Sequence, residues 1–223
     1  MGTSRKQSGD TAPDRQADKP RAILEAAAEI FLDDGYLGAS MDDIAEKAAV
    51  AKQTVYAHFS SKRALFVAMA SALTNEASDR VHNDVPQFHD GDDLERFLTD
   101  YALRQLKVVL APRLVRLRRL VIGEVSRFPE LGEALYAGGP GRAIASLAAT
   151  LGRLVAKGAL EIGDPALAAS QFNWLVMSAP LNRVMLLGDT ELPAQADLDR
   201  YADAGTRAFL AAYGANSLLR PAR

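Results

Sequence analysis

One short segment, residues 52–58, is rich in side chains that donate hydrogen bonds. These side chains belong to Lys52, Gln53, Thr54, Tyr56 and His58. In a helix over this segment, Val55 and Phe59 point inward, while Lys52, Gln53 and Tyr56 face the other way. The chemistry that such a face offers is hydrogen bonding to another molecule rather than the making and breaking of covalent bonds.

Other residue types with catalytic potential are scarce. The sequence contains no cysteine and three histidines, which are His58, His82 and His89. The lack of cysteine excludes thiol nucleophiles, thiolate zinc sites and iron–sulfur clusters, and three histidines leave little material for a metal site. Paired carboxylates, a Gly-rich phosphate loop and a Ser–His–Asp set are not indicated by any spacing. We therefore expect no enzyme activity, no metal and no cofactor.

The composition is that of an ordinary globular protein. The chain has 223 residues, of which 48% are hydrophobic and 24% charged, and its net charge is −2. This length permits one large domain or two small ones. Because no run reaches the roughly 20 apolar residues of a membrane-spanning helix, we expect no membrane segment and a cytoplasmic protein. The near-neutral charge argues against general coating of nucleic acid but permits a small basic face.

A change of pattern near Pro20 separates a polar arm from the first helix. Residues 1–19 show no apolar period, which predicts a flexible arm. A helical apolar stripe follows and ends at Gly35, which supplies a stop. The residues of this stripe are Ile23, Ala27, Ile30 and Phe31.

Three further helices are predicted around the polar segment. Ser40 supplies a side-chain cap for a short second helix. A tight connection at residues 48–50 joins it to a third helix over residues 52–58. The serines at positions 60–61 cap a fourth helix, which begins at Lys62.

The rest of the sequence is also helical in pattern, without an alternating strand signal or a repeat. Asp92 or Asp93 caps a helix that Pro112 ends or kinks, and residues 137–141 form the clearest break. Asp164 caps a long apolar helix with Pro165 in its first turn. The predicted body segments are a helix after Asp93, a helix over 113–128, a short turn through Leu131 and Leu135, and helices over 142–157, 164–187 and 197–213.

A helix, a tight turn and a short polar helix form the layout of a helix-turn-helix, which places its second helix in the DNA major groove. Residues 40–45 (SMDDIA), 50–59 (VAKQTVYAHF) and 61–65 (SKRAL) resemble the head of TetR-type (TetR/AcrR) transcriptional regulators. The resemblance is specific over residues 21–69. Residues 118–136 resemble the C-terminal domain of one subgroup of this family.

The resemblance implies an all-α protein with three parts. The expected parts are a flexible arm at 1–19, a three-helix DNA-binding head at 20–66, and a larger helical ligand-binding and dimerisation body at 67–223. It further implies a recognition helix around Ala51–His58 that binds a near-palindromic operator.

The same resemblance implies a role for each polar residue of the head. Lys52 and Gln53 are expected to reach base edges, lysine suiting guanine and glutamine suiting adenine. The residues expected to contact phosphates are Thr54, Tyr56, His58 and Lys62, joined by Ser40 and Met41 at the start of the second helix. Arg15, Lys19 and Arg21 of the arm and its border offer a minor-groove or phosphate contact.

Two positions depart from the family pattern. Ala49 stands where glycine is common, and Ala51 stands where a Ser or Thr cap is usual. Each departure costs stability, about 1–2 kcal/mol for a Cβ at positive φ and about 0.5–2 kcal/mol for a missing cap. Asp42 and Asp43 also lie near the expected DNA face and weaken its positive charge.

The body is expected to serve as dimer interface and ligand site. Its last two long helices are apolar over more surface than one core demands, and Ala204, Ala208 and Ala212 permit a close crossing between two copies. An apolar effector is expected between the middle helices, with Asn173 or Gln171 as a polar handle. The expected lining residues are Phe97, Tyr101, Leu117, Val121, Phe172, Asn173 and Met177.

Together these features favour a homodimeric repressor that a small, mostly apolar molecule releases from its operator. Two alternatives remain open. The body can bind a small molecule without any DNA role, or the protein can bind DNA constitutively with a fully packed body. The basic face formed by Arg113, Arg116, Arg118 and Arg119 leaves an acidic ligand possible, although such faces are usually solvated or paired.

Overall fold

The computed structural model describes residues 14–82, 88–89 and 91–215 of the chain. Within these residues the structure is helical, with an isolated antiparallel bridge between Leu160 and Gly214. The expected all-α fold is confirmed. The α-helices are α1 (Asp14–Gly38), α2 (Met41–Lys47), α3 (Lys52–His58), α4 (Lys62–His82), α5 (Leu94–Val109), α6 (Pro112–Glu124), α7 (Pro129–Tyr136), α8 (Arg142–Ala156), α9 (Pro165–Leu187) and α10 (Gln195–Tyr213).

The chain divides into two compact units between Met69 and Ala70, a few residues after the expected boundary. In the first unit, which we call the head, the predicted stripe of α1 is buried. Phe31 of α1 packs against Phe66 of α4 with ring centroids 4.7 Å apart, and Tyr36 lies 5.0 Å from Phe66. This aromatic cluster fixes the start of α4 against α1.

Four predicted helix caps are confirmed because each depends on one local side chain. Ser61 accepts a hydrogen bond from the Ala64 backbone N–H at 3.1 Å at the start of α4. The Ser40 hydroxyl accepts a hydrogen bond from the Asp43 backbone N–H at 3.1 Å. Asp93 accepts from the N–H of Arg96 at 3.1 Å, and the Asp164 carboxylate accepts from the N–H groups of residues 166 and 167. Such bonds satisfy backbone donors that a helix start leaves unpaired.

The beginning of α1 differs from the expectation. The helix starts at Asp14 and contains Pro20, so residues 14–19, assigned to the flexible arm, are helical; residues 1–13 lie outside the described part. Pro20 is the seventh residue of this helix, past the first turn in which proline fits without cost, so it removes one backbone hydrogen bond from α1 and crowds the preceding turn. The stop at Gly35 appears as a kink, with φ 72° and ψ 177°, before a last short turn.

The middle of the body also differs from the expectation. Pro112 begins α6 instead of ending α5, α6 ends at Glu124, and the expected turn after Pro129 is the helix α7. Residues 137–141, predicted as a break, form a π-helical turn that leads into α8.

Close packing explains the glycines of this π-helical turn. A Cβ at Gly138 would lie 3.0 Å from Asn75 Oδ1 and 3.1 Å from Thr74 Cγ2 of α4. Glycine at position 138 therefore eases the close approach of the π-helical turn to α4 within a continuous helical segment.

The second unit, which we call the body, packs around α9. Phe172 and Val176 of α9 are fully buried, and the Phe172 ring meets that of Phe209 on α10 edge-on at 5.1 Å. A Cβ at Gly205 of α10 would lie 2.8 Å from Val176 Cγ2, so the two helices cross closely. Among the described helices, none is both long and apolar enough to cross a bilayer.

The turn between α2 and α3 contains the strained residue anticipated from the sequence. Ala49 has φ 53°, and no other non-glycine residue among those described has a positive φ. A hydrogen bond from the Val50 N–H to the Ala45 carbonyl, at 3.0 Å, closes this turn. The backbone thus adopts the turn despite the cost of a Cβ.

We expect Ala49→Gly to raise the free energy of unfolding by about 1 kcal/mol, because glycine removes the Cβ strain at positive φ. Chemical denaturation monitored by circular dichroism measures the change. Ala48→Gly is the matched control: Ala48 has φ −76°, so glycine there gains nothing and costs up to about 1 kcal/mol. Equal effects of the two substitutions would contradict the strain.

Candidate nucleic-acid interface and body cavity

The helix α3 packs one face against the head core and exposes polar residues on the remainder of its surface. Val55 is completely buried, whereas Lys52, Gln53 and His58 are exposed and Tyr56 is 45% exposed. Thr54 is half-buried. The structure therefore leaves Lys52, Gln53, Tyr56 and His58 accessible around the buried Val55. Phe59, expected in the core, is half-buried because it follows the end of the helix.

The start of α2 can offer backbone donors rather than side chains. The Ser40 hydroxyl already accepts a hydrogen bond from the Asp43 N–H, and the Met41 side chain is buried. A contact from Met41 to another molecule must therefore use its N–H group. Free N–H groups and the helix dipole favour an anion at such a position.

Lys52 is held by an acidic neighbour that sequence reasoning placed on the same face without pairing the two. Lys52 Nζ lies 2.7 Å from Asp42 Oδ1 and 3.0 Å from Oδ2. The hydrogen bond and charge of Asp42 raise the pKa of Lys52. Both side chains are exposed, so this ion pair is weak and exchangeable. The pair also ties α2 to the first turn of α3, where Ala51 provides no side-chain cap.

Lys62 occupies a different environment from the expected phosphate contact. Its Nζ donates to the backbone carbonyls of Ala39 and Leu37 and lies 4.7 Å from the Tyr36 ring centroid. A lysine at these carbonyls satisfies acceptors that the end of α1 leaves unpaired. Lys62 therefore joins the start of α4 to the connection before α2. Its role toward phosphate stays a prediction.

The body contains a narrow cavity between α4, α5, α6, the π-helical turn, the start of α8 and α9. Its volume is about 60 Å³, which is space for a few water molecules rather than for a drug-sized ligand. Most of its wall is apolar. The wall also carries the polar side chains of Gln105, Asn173 and Arg118.

Two of the seven residues expected at a ligand site, Asn173 and Met177, line this cavity. Leu117, Val121 and Phe172 are instead buried in the core, and Phe97 and Tyr101 line a separate surface pocket along α5. The orientation of α6 explains part of the difference. Leu114 and Arg118, four residues apart, turn toward the cavity, and Leu117 and Val121 then fall on another face. Gln171, the alternative handle, is exposed and accepts a hydrogen bond from Tyr213.

The arginines of α6 differ in their partners. Arg116 and Arg119 both donate to Asp189, and the hydrogen bond from Arg116 is the largest cause that lowers the pKa of Asp189. This contact attaches α6 to the chain after α9. Arg118 instead lines both the cavity and a surface groove beside Ile122 and Trp174, and burial lowers the pKa of its guanidinium.

Two family models match the chain in the order of its two units. The model for "Bacterial regulatory proteins, tetR family" matches residues 23–69. The model described as "AefR-like transcriptional repressor, C-terminal domain" matches residues 96–215, which is more than half of the chain.

Solved structures resemble nearly the whole chain. A TetR-family transcriptional regulator from Mesorhizobium loti MAFF303099 is 38% identical, with a TM-score of 0.85 over 90% of this chain and 98% of that one. The Flavonoid-responsive Regulator FrrA is 33% identical, with a TM-score of 0.72 over 90% of this chain and 100% of that one.

A curated relative matches the head alone. The HTH-type transcriptional activator FasR of Mycolicibacterium smegmatis is 51% identical over 47 residues, which are 21% of this chain and 22% of FasR. The matched segment thus spans about a fifth of that relative's length. Members of the family are DNA-binding regulators rather than enzymes, in agreement with the expectation of no enzyme activity. The two family models and the two solved structures show that this chain belongs to the TetR family of transcriptional regulators.

Proposed function

We propose that the protein is a homodimeric repressor that binds a near-palindromic operator and is released by a small molecule. The observation that carries the DNA-binding part is the exposed polar face of α3, with Val55 fully buried behind it. A helix fixed in this way can enter the major groove without disturbing the head core. The protein would act in the cytoplasm, where its operator lies.

Each polar residue of the head has a distinct role in this proposal. Lys52 and Gln53 lie in the first turn of α3 and read base edges. The residues assigned to phosphates are Thr54, Tyr56, His58 and Lys62, with the N–H groups of Ser40 and Met41. For Lys52 to reach a base, its ion pair with Asp42 must open, and the exposure of both partners makes this exchange inexpensive.

The exposed face of α9 supports the proposed dimer. The buried face of α9 carries Phe172 and Val176, yet large apolar side chains also lie on its opposite, exposed face. These exposed residues are Leu167, Trp174, Leu175 and Leu186. A helix that is apolar on both faces indicates a second buried contact.

The neighbouring helix α10 is suited to the same contact. Ala204, Ala208 and Ala212 are exposed along it, and small side chains allow helices to approach closely. Two copies of α9 and α10 would form a four-helix interface about a two-fold axis. Such a dimer spaces its recognition helices by one turn of DNA, about 34–36 Å.

The cavity supports control by a ligand. The helix α4 contributes Lys62 to the head and Thr74, Ala77 and Val81 to the cavity wall. Because the cavity is small, a ligand must select a conformation in which its walls have moved apart. A hundredfold preference for the state that does not bind DNA supplies about 2.7 kcal/mol.

We propose repression rather than activation because of the family that the body resembles. The family model for residues 96–215 is described as a repressor, whereas FasR, similar over the head, is described as an activator. Because the proposed effector site lies in the body, we favour repression. The description of FrrA as flavonoid-responsive supports a small-molecule signal.

We expect the purified protein to bind DNA from the intergenic region beside its own gene tightly, with one dimer per site and strong salt dependence. Tyr56→Ala should weaken binding about tenfold or more, because it removes a phosphate contact from α3. The matched control is Tyr136→Ala, since Tyr136 is 62% exposed in the body. Fluorescence anisotropy measures both. Binding to this DNA and to genome-selected fragments no tighter than to random DNA would refute the proposal.

The ion pair between Lys52 and Asp42 gives a second prediction. Asp42→Asn should raise affinity for DNA and steepen the dependence on salt by about 0.9 per released phosphate contact, because Lys52 becomes available. Asp43→Asn changes the net charge equally at the next residue without touching Lys52. A salt titration of both variants isolates the effect. Identical slopes for the two would mean that Lys52 does not act through this exchange.

For the dimer, we expect Ala208→Arg to produce monomers at concentrations where the unmodified protein is dimeric, because a bulky charge cannot be buried at a close crossing. Sedimentation velocity gives the oligomeric state. Ala22→Arg adds the same charge at an exposed position of α1 and should leave the dimer intact. A persistent dimer in the Ala208→Arg variant would place the interface elsewhere.

A further inference from the structure

The cavity holds a buried amide pair that is only half satisfied. Gln105 and Asn173 are 2% and 1% exposed, and Gln105 Nε2 donates to Asn173 Oδ1 at 2.6 Å. Gln105 Oε1 and Asn173 Nδ2 have no partner among the described residues. If the oxygen and nitrogen positions of both amides were exchanged, one donor and one acceptor would still lack a partner. Buried polar groups are normally paired, so this pair is suited to a polar group of a ligand.

The same cavity holds a cation without a counter-charge. Arg118 is half-buried, and among the described residues no carboxylate or hydrogen-bond acceptor lies within bonding distance of it. Its neighbours Arg116 and Arg119 share Asp189 at the surface. A guanidinium that is partly removed from water and has no anionic partner favours an incoming carboxylate, which it can bind through two parallel hydrogen bonds.

The remainder of the wall is apolar. Val108, Val109, Leu114 and Met177 contribute to it, and no Asp or Glu lies in the lining formed by the described residues. A cationic ligand would therefore meet an uncompensated like charge. A neutral apolar ligand would leave Arg118 buried without a partner, at a cost in desolvation.

We propose that the body cavity binds an organic acid, with its carboxylate on Arg118, its apolar part along Val108 and Met177, and a hydroxyl or carbonyl at the Gln105–Asn173 pair. This inference deepens the proposed function, because it names the chemical class of the effector. It also narrows the earlier expectation of a mostly apolar molecule. The cavity must widen to admit such a ligand, since its volume is about 60 Å³.

Binding of two acids and their neutral amides to the DNA-free dimer tests the proposal. The probes are 4-hydroxybenzoate with 4-hydroxybenzamide, and octanoate with octanamide, measured by isothermal titration calorimetry. We expect at least one acid to bind about tenfold or more tightly than its amide, as a charge-assisted hydrogen bond provides. Failure of both acids to bind, or equal affinity for acid and amide, would overturn the proposal.

Two arginine variants locate the acid. Arg118→Gln should abolish the preference for acid over amide, whereas Arg116→Gln, on the same helix but paired with Asp189, should retain it. Arg118→Gln should also fold and melt at the same or a higher temperature without ligand, because an uncompensated cation has been removed. Persistence of the preference in Arg118→Gln would reject the site, and a merely structural role for Arg118 would lower the melting temperature instead.

The test separates the site from the proposed regulation. The calorimetry needs no DNA, so a positive result supports the site even where the head fails to bind an operator. Adding the bound acid to a protein–DNA complex then measures release. Acid binding without release would retain the site and refute effector-controlled repression.

Discussion

The recognition surface depends on the packing of α3, because a helix of seven residues is not stable in isolation. Its single completely buried side chain is Val55, and its first turn has no side-chain cap. The position of α3 is therefore imposed by its surroundings. The aromatic contact between Phe31 and Phe66 fixes α1 against α4, and Lys62 ties the start of α4 to the connection before α2. Every polar side chain of α3 inherits its direction from this arrangement.

Lys52 and Arg118 are cations in two different electrostatic environments. Lys52 is exposed and paired with Asp42, so it keeps its charge and can exchange one anionic partner for another at little cost. Arg118 is half-buried and lacks an anion among the described residues, so its charge is partly desolvated without compensation. An exposed pair suits the rapid formation and loss of phosphate contacts. A partly desolvated single charge suits the selection of one chemical class of ligand.

Local features of the sequence predicted much of the fold. Ser40, Asp93 and Asp164 act on N–H groups two or three residues away, so their caps follow from sequence order alone. The glycines after Ala137 misled the prediction because their reason is tertiary. They admit Thr74 and Asn75 of α4, which lie more than sixty residues earlier in the chain.

The DNA-facing residues were easier to predict than the cavity lining, again because local features can be predicted from the sequence and tertiary ones cannot. The DNA-facing residues lie within one short helix, whose period distinguishes Val55 from Tyr56. The cavity gathers residues from six segments, and the rotation of α6 about its axis decides whether Leu117 or Arg118 faces it. No local pattern fixes that rotation. The pairing of Lys52 with Asp42 was likewise hidden, since it depends on the angle between α2 and α3.

The small volume of the cavity and its unpaired polar groups have one combined consequence. A narrow cavity with an unsatisfied amide pair and a partly desolvated guanidinium is a state whose polar groups are poorly solvated. Opening the walls to water would relieve this cost but would expose apolar surface. A ligand that is apolar along its length and acidic at one end satisfies both demands at once. Its binding free energy is then available to hold the walls, including the second half of α4, in the open arrangement.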